Sequence, residues 1–132
     1  METKFRRDLA QWLRADATLS AACNAVEEES PIAVTPPWIG IAASAAAEWG
    51  GKGATGREIR VAIELVDRSE DAQATAALVD ALETRIATLP ASQDGYRIVV
   101  TNFVRSRAER RPRGMRAVLV EYRFKILKEN TP

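Results

Sequence analysis

The sequence predicts an α+β domain with a largely antiparallel, four-stranded sheet and helices packed on one face of that sheet. Two observations predict this class. Apolar residues recur at the helical period in three segments and at the strand period of two in others. These segments follow one another in the order α-α-β-β-α-β-β, with no internal repeat. The length of 132 residues fits a single domain over residues 1–132, with room for a modest core.

The first two elements are predicted to be helices. A single apolar stripe indicates a helix over about residues 3–15. Its members recur at i, i+4, i+7 and i+8: Phe5, Leu9, Trp12 and Leu13. The stretch ADATLSAACNAV repeats the pattern in a shorter helix, which Asp16 or Thr18 can cap. Cys23 lies on its apolar side, where we expect a small buried residue rather than a reactive thiol.

A connector and a first strand follow these helices. Three acids, Glu27, Glu28 and Glu29, precede three prolines, and this composition predicts an extended connector. The acidic run lacks the aspartate spacing of an EF-hand, so a solvated face is favoured over a metal site. The stretch WIGIAASAAAEW then predicts a strand, because two prolines precede it and a glycine loop follows, although alanine favours helix.

The middle of the chain carries the clearest patterns. REIRVAIELVD alternates between apolar and polar residues, which predicts a strand with one buried face: Ile59, Val61, Ile63 and Leu65. The next segment returns to helical spacing at Leu78, Leu82, Ile86 and Leu89. We expect Glu70 and Asp71 in the first turn of this helix, where negative charge suits the helix dipole, and Pro90 ends it.

The last third of the chain predicts two strands joined by a basic tip. GYRIVVTNFVRS forms the first strand, and MRAVLVEYRFKIL forms the second. One face of the second strand is apolar: Val118, Val120, Tyr122, Phe124 and Ile126. The stretch RSRAERRPRG lies between the two strands.

The composition argues against several classes of function. The net charge is +1, so no global field favours nucleic acid or a membrane surface. The chain has no histidine and one cysteine, which excludes histidine-based triads and makes zinc sites and disulfides poor candidates. No segment has the pattern of a signal peptide or the length of an apolar membrane span, so we expect a soluble protein made in the cytoplasm. We therefore expect no enzyme, cofactor or metal.

The stretch GKGATG fits the pattern G-x-G-x-x-G, which cradles a pyrophosphate in dinucleotide folds. Those glycines follow a strand and open a helix, whereas Gly56 here opens the segment with the clearest strand pattern. Lys52 is followed by Gly53 rather than Ser or Thr, so the stretch is not a P-loop either. The pattern instead predicts a mobile connection between antiparallel strands, of the kind that often contacts partners.

Five arginines fall within nine residues, with one acid, Glu109, among them: Arg105, Arg107, Arg110, Arg111 and Arg113. A solvated hairpin tip and a phosphate-facing surface both explain such a cluster. No aromatic residue interleaves with the arginines, so base stacking is not indicated.

Several local strings together resemble one known family. LRADATLSAA resembles its N-terminal helix signature, and TPPWIGI resembles the start of its first strand. GREIRVAIELVDRSEDAQATAALVDAL resembles its best-marked strand–helix block, and GYRIVVTNFVRSRAERRPRGMRAVLVEYRFKI resembles its closing pair of strands. The family is that of the tail-completion or tail-terminator proteins of long-tailed phages and gene transfer agents. The acidic run and the alanines of AASAAA depart from the family pattern.

The resemblance implies a structural role in virion assembly and no chemistry. Tail terminators form a hexameric ring on the head-proximal end of the tail tube, stop its polymerisation and join it to the head or neck. The implied partners are further copies of the chain, the tail tube protein and a head-completion or neck protein. Candidate interface residues are Trp38, Trp49, Gly51, Lys52 and Gly53, with a core position as the alternative for either tryptophan. The arginines Arg105 to Arg113 are candidates for the lumen, where DNA passes, or for an acidic neighbour.

Two other functions stay open from the sequence. A head-to-tail connector of the neck also forms rings. A small nucleic-acid-binding module would use the arginines and would lose affinity steeply with salt, but the near-zero net charge argues against it.

Overall fold

The computed structural model describes residues 1–129, so the last three residues of the predicted 1–132 domain lie outside it. Within this part, three α-helices accompany one six-stranded sheet. The helices are α1 (Glu2–Arg14), α2 (Ala17–Ala22) and α3 (Ala72–Ala87). The strands are β1 (Ala25–Glu27), β2 (Trp38–Trp49), β3 (Gly56–Asp67), β4 (Ser92–Gln93), β5 (Tyr96–Arg111) and β6 (Met115–Lys128).

The predicted α+β class is confirmed, but the sheet has six strands rather than four. The strand order is β1-β2-β3-β6-β5-β4. The four predicted strands are β2, β3, β6 and β5, which pair antiparallel. The two additional strands are three and two residues long, too short to show a period of two. β1 pairs parallel with the start of β2, and β4 pairs antiparallel with the start of β5.

The helices pack on one face of the sheet, as predicted. We call this the helix-covered face and the opposite one the helix-free face. On β3 the alternation is strict: Ile59, Val61 and Ile63 are buried under the helices, whereas Arg60 and Ala62 lie on the helix-free face. The main core joins fully buried side chains from α1, α2, α3 and the strands: Phe5, Leu9, Leu13, Leu19, Ile39, Ile59, Leu65, Leu82, Ile86, Tyr96, Val120 and Phe124.

Helix α1 is joined to α3 by Trp12. The indole Nε1 donates a hydrogen bond to the carbonyl of Arg85 at 2.9 Å, and Arg85 Nε donates to the carbonyl of Trp12 at 2.8 Å. The Arg85 guanidinium also stacks over the indole ring at 3.4 Å from its centroid. This reciprocal contact locks the two longer helices together at the rim of the core.

The short polar segments before α2 and α3 are helix caps. Of the two candidates for α2, Asp16 is the N-cap, and its carboxylate accepts the Leu19 N–H at 3.0 Å. The prediction that Glu70 and Asp71 lie in the first turn of α3 is wrong, because the helix begins at Ala72. Asp71 is its N-cap and accepts the Gln73 N–H at 2.9 Å, where it satisfies a backbone donor that would otherwise be unpaired.

The connector between β1 and β2 covers one end of the helix-free face. Glu27, the first residue of the predicted extended connector, ends β1, and the rest of the connector runs from there to β2. Ser30 Oγ donates to the buried Glu64 at 2.9 Å, and Val34 packs on a second, smaller cluster. That cluster consists of Trp38, Val66, Ala117 and Leu119. The rest of the helix-free face has no such cover within residues 1–129.

Candidate functional site

The outer part of strand β5 is the largest exposed element of the fold. Only Tyr96 and Ile98 of its 16 residues are buried. The basic tip predicted between the last two strands is shorter than expected, because β5 continues to Arg111 and only Pro112–Gly114 form the turn. Backbone pairing with β6 extends the strand where the side-chain pattern gives no alternation.

Two β-bulges and three exposed apolar side chains mark this part of β5. The register with β6 shifts between Ile98 and Val100 and again between Phe103 and Arg105. The apolar side chains are Val99, Phe103 and Val104, which are 41%, 50% and 47% exposed. Apolar groups grouped on an exposed strand edge are typical of a contact surface. The Phe103 ring has one internal partner, Tyr122, edge-on at 5.6 Å.

The five predicted arginines do not form one patch. Arg105, Arg107 and Arg111 lie opposite Glu121, Leu119 and Met115 of β6, on the helix-free face. Arg110 lies opposite Arg116 on the other face, and Arg113 occupies the turn with a φ of 65°. The alternation of the strand separates residues that the sequence places side by side.

Two of these arginines are neutralised within the chain. Arg105 pairs with Glu121, and this hydrogen bond raises the pKa of Arg105 and lowers the pKa of Glu121 below its ordinary value. Arg111 pairs with Glu64 and, at 2.8 Å, with Glu109. Burial alone would lower the pKa of Arg111, but its bonds to the two carboxylates raise it.

The pair of Glu64 and Arg111 ties three segments together. Glu64 on β3 is 5% exposed and also accepts the hydrogen bond from Ser30 of the connector. Arg111 therefore anchors the end of the hairpin to the sheet, and its guanidinium is not free to bind a partner. Arg107, Arg110 and Arg113 are exposed and have no carboxylate partner in residues 1–129.

The structure adds basic residues that the sequence reasoning missed. Arg60 of β3 and Arg123 of β6 are direct cross-strand partners on the helix-free face. Lys125 is on the same face, with its Nζ 5.2 Å from the centre of the Trp49 ring. The signal was present: these residues occupy the polar positions of strands whose apolar positions had already been assigned. Together with Arg105 and Arg107 they make the open part of this face rich in arginine.

The candidate interface residues fall into two environments. Trp38 is 8% exposed and belongs to the smaller cluster, which is the core position that the sequence left open. Trp49 is half-buried at the end of β2, and its ring lies so close to Gly56 that a Cβ there would sit 2.9 Å from it. Gly51, Lys52 and Gly53 are exposed in the loop between β2 and β3.

The glycine loop does not have the geometry of a nucleotide site. It joins two antiparallel strands, and Gly56 begins β3 rather than a helix. Gly50 and Gly53 have φ values of 128° and 83°, which side chains rarely adopt. The prediction of a strand-to-strand connection is confirmed.

Three further features were expected to be absent or inert. No group of three or more His, Cys, Asp or Glu residues is placed to hold a metal ion within residues 1–129. Burial, with a smaller contribution from Asp67, raises the pKa of Cys23 to about 11, so its thiol is unreactive near neutral pH. No helix in this part is long and apolar enough to cross a membrane.

Comparisons with known proteins point to one family. The family described as Tail completion protein gp17 matches residues 7–127. No curated protein sequence matches the chain. Among solved structures, a chain in the "Virion of native gene transfer agent (GTA) particle" has a TM-score of 0.76 at 21% identity, covering 92% of this chain and 93% of that chain. At this identity the likeness shows a shared fold. Because the family match spans nearly the whole sequence, this chain belongs to the tail completion protein gp17 family and is a structural protein of phage-like particles.

Proposed function

We propose that this protein is a tail terminator. Copies of it form a hexameric ring on the head-proximal end of the tail tube, stop the tube from growing and present the surface that joins the head or neck. The role is structural and needs no catalysis. The observation that carries the proposal is the outer part of β5, a long strand within the family match whose side chains are mostly exposed.

A ring subunit needs two different surfaces that fit each other, because head-to-tail contacts close by rotation. Val99, Phe103 and Val104 supply apolar contact area at one side of the sheet. The fold shared with a chain of a gene transfer agent particle supports a place in such an assembly. We propose that the present chain likewise belongs to the tail of a phage or a gene transfer agent.

The remaining candidate residues fit the other contacts of a ring. The exposed Gly51, Lys52 and Gly53, next to the half-buried Trp49, are suited to meeting the tube or a neighbouring copy. Arg60 and Arg107, with Arg123, suit the lumen, because guanidinium groups on an open sheet face attract the phosphates of passing DNA without reading its sequence.

Purified protein, mixed with growing tubes of the tail tube protein from the same particle, tests the proposal. We expect tube growth to stop once each growing end has bound one ring, with sixfold density at one tube end in negative-stain images. The mass from light scattering gives the state of the free protein. A protein that remains monomeric and never associates with tubes would contradict the proposal. Binding to a neck ring but not to tubes would assign it to the connectors.

A further inference from the structure

We propose that the outer edge of β5 pairs antiparallel with the outer edge of β2 in a neighbouring copy, so that the sheet continues from one subunit to the next. This inference rests on the proposed function, since it specifies how the ring closes. The occupant of each free edge is a second copy of this chain.

The first free edge is that of β5. Strand β4 pairs only with Tyr96 and Arg97, and Ile98 donates its N–H to the Ala91 carbonyl at 2.7 Å. Over residues 99–111 no strand within the described chain lies beyond β5. Alternate N–H and C=O groups along such an edge point outward and are available to another strand.

The second free edge is that of β2. Strand β1 pairs only with Trp38, Ile39 and Gly40. From Ile41 to Trp49 the outer side of β2 has no strand partner within residues 1–129. Glu2 of α1 accepts a hydrogen bond from Ser44 Oγ at 2.7 Å, but this contact lies on the helix-covered face and leaves the edge itself open.

The strand directions of one copy fit a continuous antiparallel sheet. β2 runs antiparallel to β3, β3 to β6 and β6 to β5. β5 therefore points opposite to β2. In a ring made by rotation about an axis along the strands, every copy has the same direction. The β5 of one copy then meets the β2 of the next in antiparallel orientation, and the alternation is unbroken.

Charge and size favour this pairing over pairing of like edges. Along its free part β5 carries two exposed arginines without a carboxylate partner in residues 1–129, Arg107 and Arg110, whereas the one charged residue of β2 is Glu48. Two β5 edges would repel each other. The side chains of β2 between Ile41 and Glu48 are alanines and one serine, which leave room for Phe103 and the arginines opposite. Because the bulky edge of one copy meets the small edge of the next, the contact is head-to-tail, the kind that closes into a ring.

A cysteine scan tests the inference. In a Cys23→Ser background, Ala45→Cys on β2 is combined with cysteine at each position of 99–111 in turn, and the proteins are oxidised after assembly on tubes. A disulfide needs Cα atoms about 4.4–6.8 Å apart, so we expect only one or two neighbouring β5 positions to react. These variants should give a ladder of covalent oligomers that ends at the number of copies in the ring. Ala77→Cys on the exposed surface of α3, paired with the same β5 positions, is the control and should give no ladder.

The outcomes separate the two proposals. Rings on tubes without any ladder would overturn the edge pairing and leave the terminator role standing. Efficient covalent dimers from a β5 cysteine alone would also overturn it, because they would show β5 meeting β5. A protein that never assembles on tubes would overturn both.

Discussion

The two strands of the closing hairpin, β5 and β6, pair along nearly their whole length and differ in what covers them. β6 has buried side chains on both of its faces, Ala117 and Leu119 on one and Val120, Tyr122, Phe124 and Ile126 on the other, whereas β5 has only Tyr96 and Ile98 near its start. β6 lies between two strands, under the helices on one face and beside the smaller cluster on the other. Backbone pairing with β6 therefore extends β5 far beyond its buried start, and most of the side chains there remain exposed to other molecules.

The largest expected difference between the two strands is in the unfolding free energy lost when one phenylalanine on each strand is replaced by alanine. Phe124 of β6 is fully buried, with Phe5 at 4.7 Å between ring centroids, whereas Phe103 of β5 is 50% exposed. We expect Phe124→Ala to cost about 3–5 kcal/mol of unfolding free energy. Phe103→Ala should cost about 1 kcal/mol, the value of one partly exposed aromatic contact. Urea denaturation of both variants measures these costs.

A contrary result would show that β5 and β6 contribute alike to the core. If Phe103→Ala destabilised the protein as much as Phe124→Ala, the outer part of β5 would belong to the core. If Phe103→Ala left stability nearly intact but abolished association with tubes, it would strengthen the view of β5 as a contact surface.

A smaller loss of unfolding free energy is expected when the contact that anchors β5 to Glu64 is removed. Arg111→Met removes the cation from the buried Glu64, and we expect a loss of about 1–3 kcal/mol, reduced by the partial exposure of Arg111. Arg107→Met is the matched control on the same face and should change stability by less than about 0.5 kcal/mol. Chemical denaturation gives both numbers. Equal losses in the two variants would show that the pair of Glu64 and Arg111 does not anchor the hairpin.

The smallest effect concerns the exposed pair of Arg105 and Glu121. The hydrogen bond from Arg105 holds the pKa of Glu121 below its ordinary value of 4.5. A lowered carboxylate pKa stabilises the folded state above the unfolded pKa, and this contribution is lost as the pH falls through the lowered value. An NMR titration should show Glu121 titrating below 4.5, and Arg105→Gln should move it up. An unchanged titration in that variant would show that the pair does not form in solution.

The parts of the fold with strong side-chain periodicity were predictable from the sequence. β3 alternates cleanly because one face is under the helices, and α3 shows its apolar spacing because it packs on the same core. β1 and β4 were missed because their pairing comes from the backbone of neighbouring strands, not from their own side chains. The extension of β5 to Arg111 was missed for the same reason.

The candidate surface was predictable only in part. The sequence located the arginines, but only the register of β5 with β6 assigns Arg105 and Arg107 to one face and Arg110 to the other. The pairing of Arg111 with Glu64 joins residues far apart in sequence, which no local pattern reveals. The two free sheet edges follow from strand order, and strand order depends on the whole fold.

Hydrogen exchange, measured by mass spectrometry on the free protein and on protein bound to tube ends, shows directly whether the outer part of β5 is the surface used in assembly. We expect amides of β6 between Ala117 and Ile126 to be protected in both states, because they already lie between two strands. The alternate amides of β5 between Val99 and Arg111 that point away from β6 should gain protection only on assembly. If bound protein showed no added protection in this part of β5, the outer strand would not be the surface through which the particle is built.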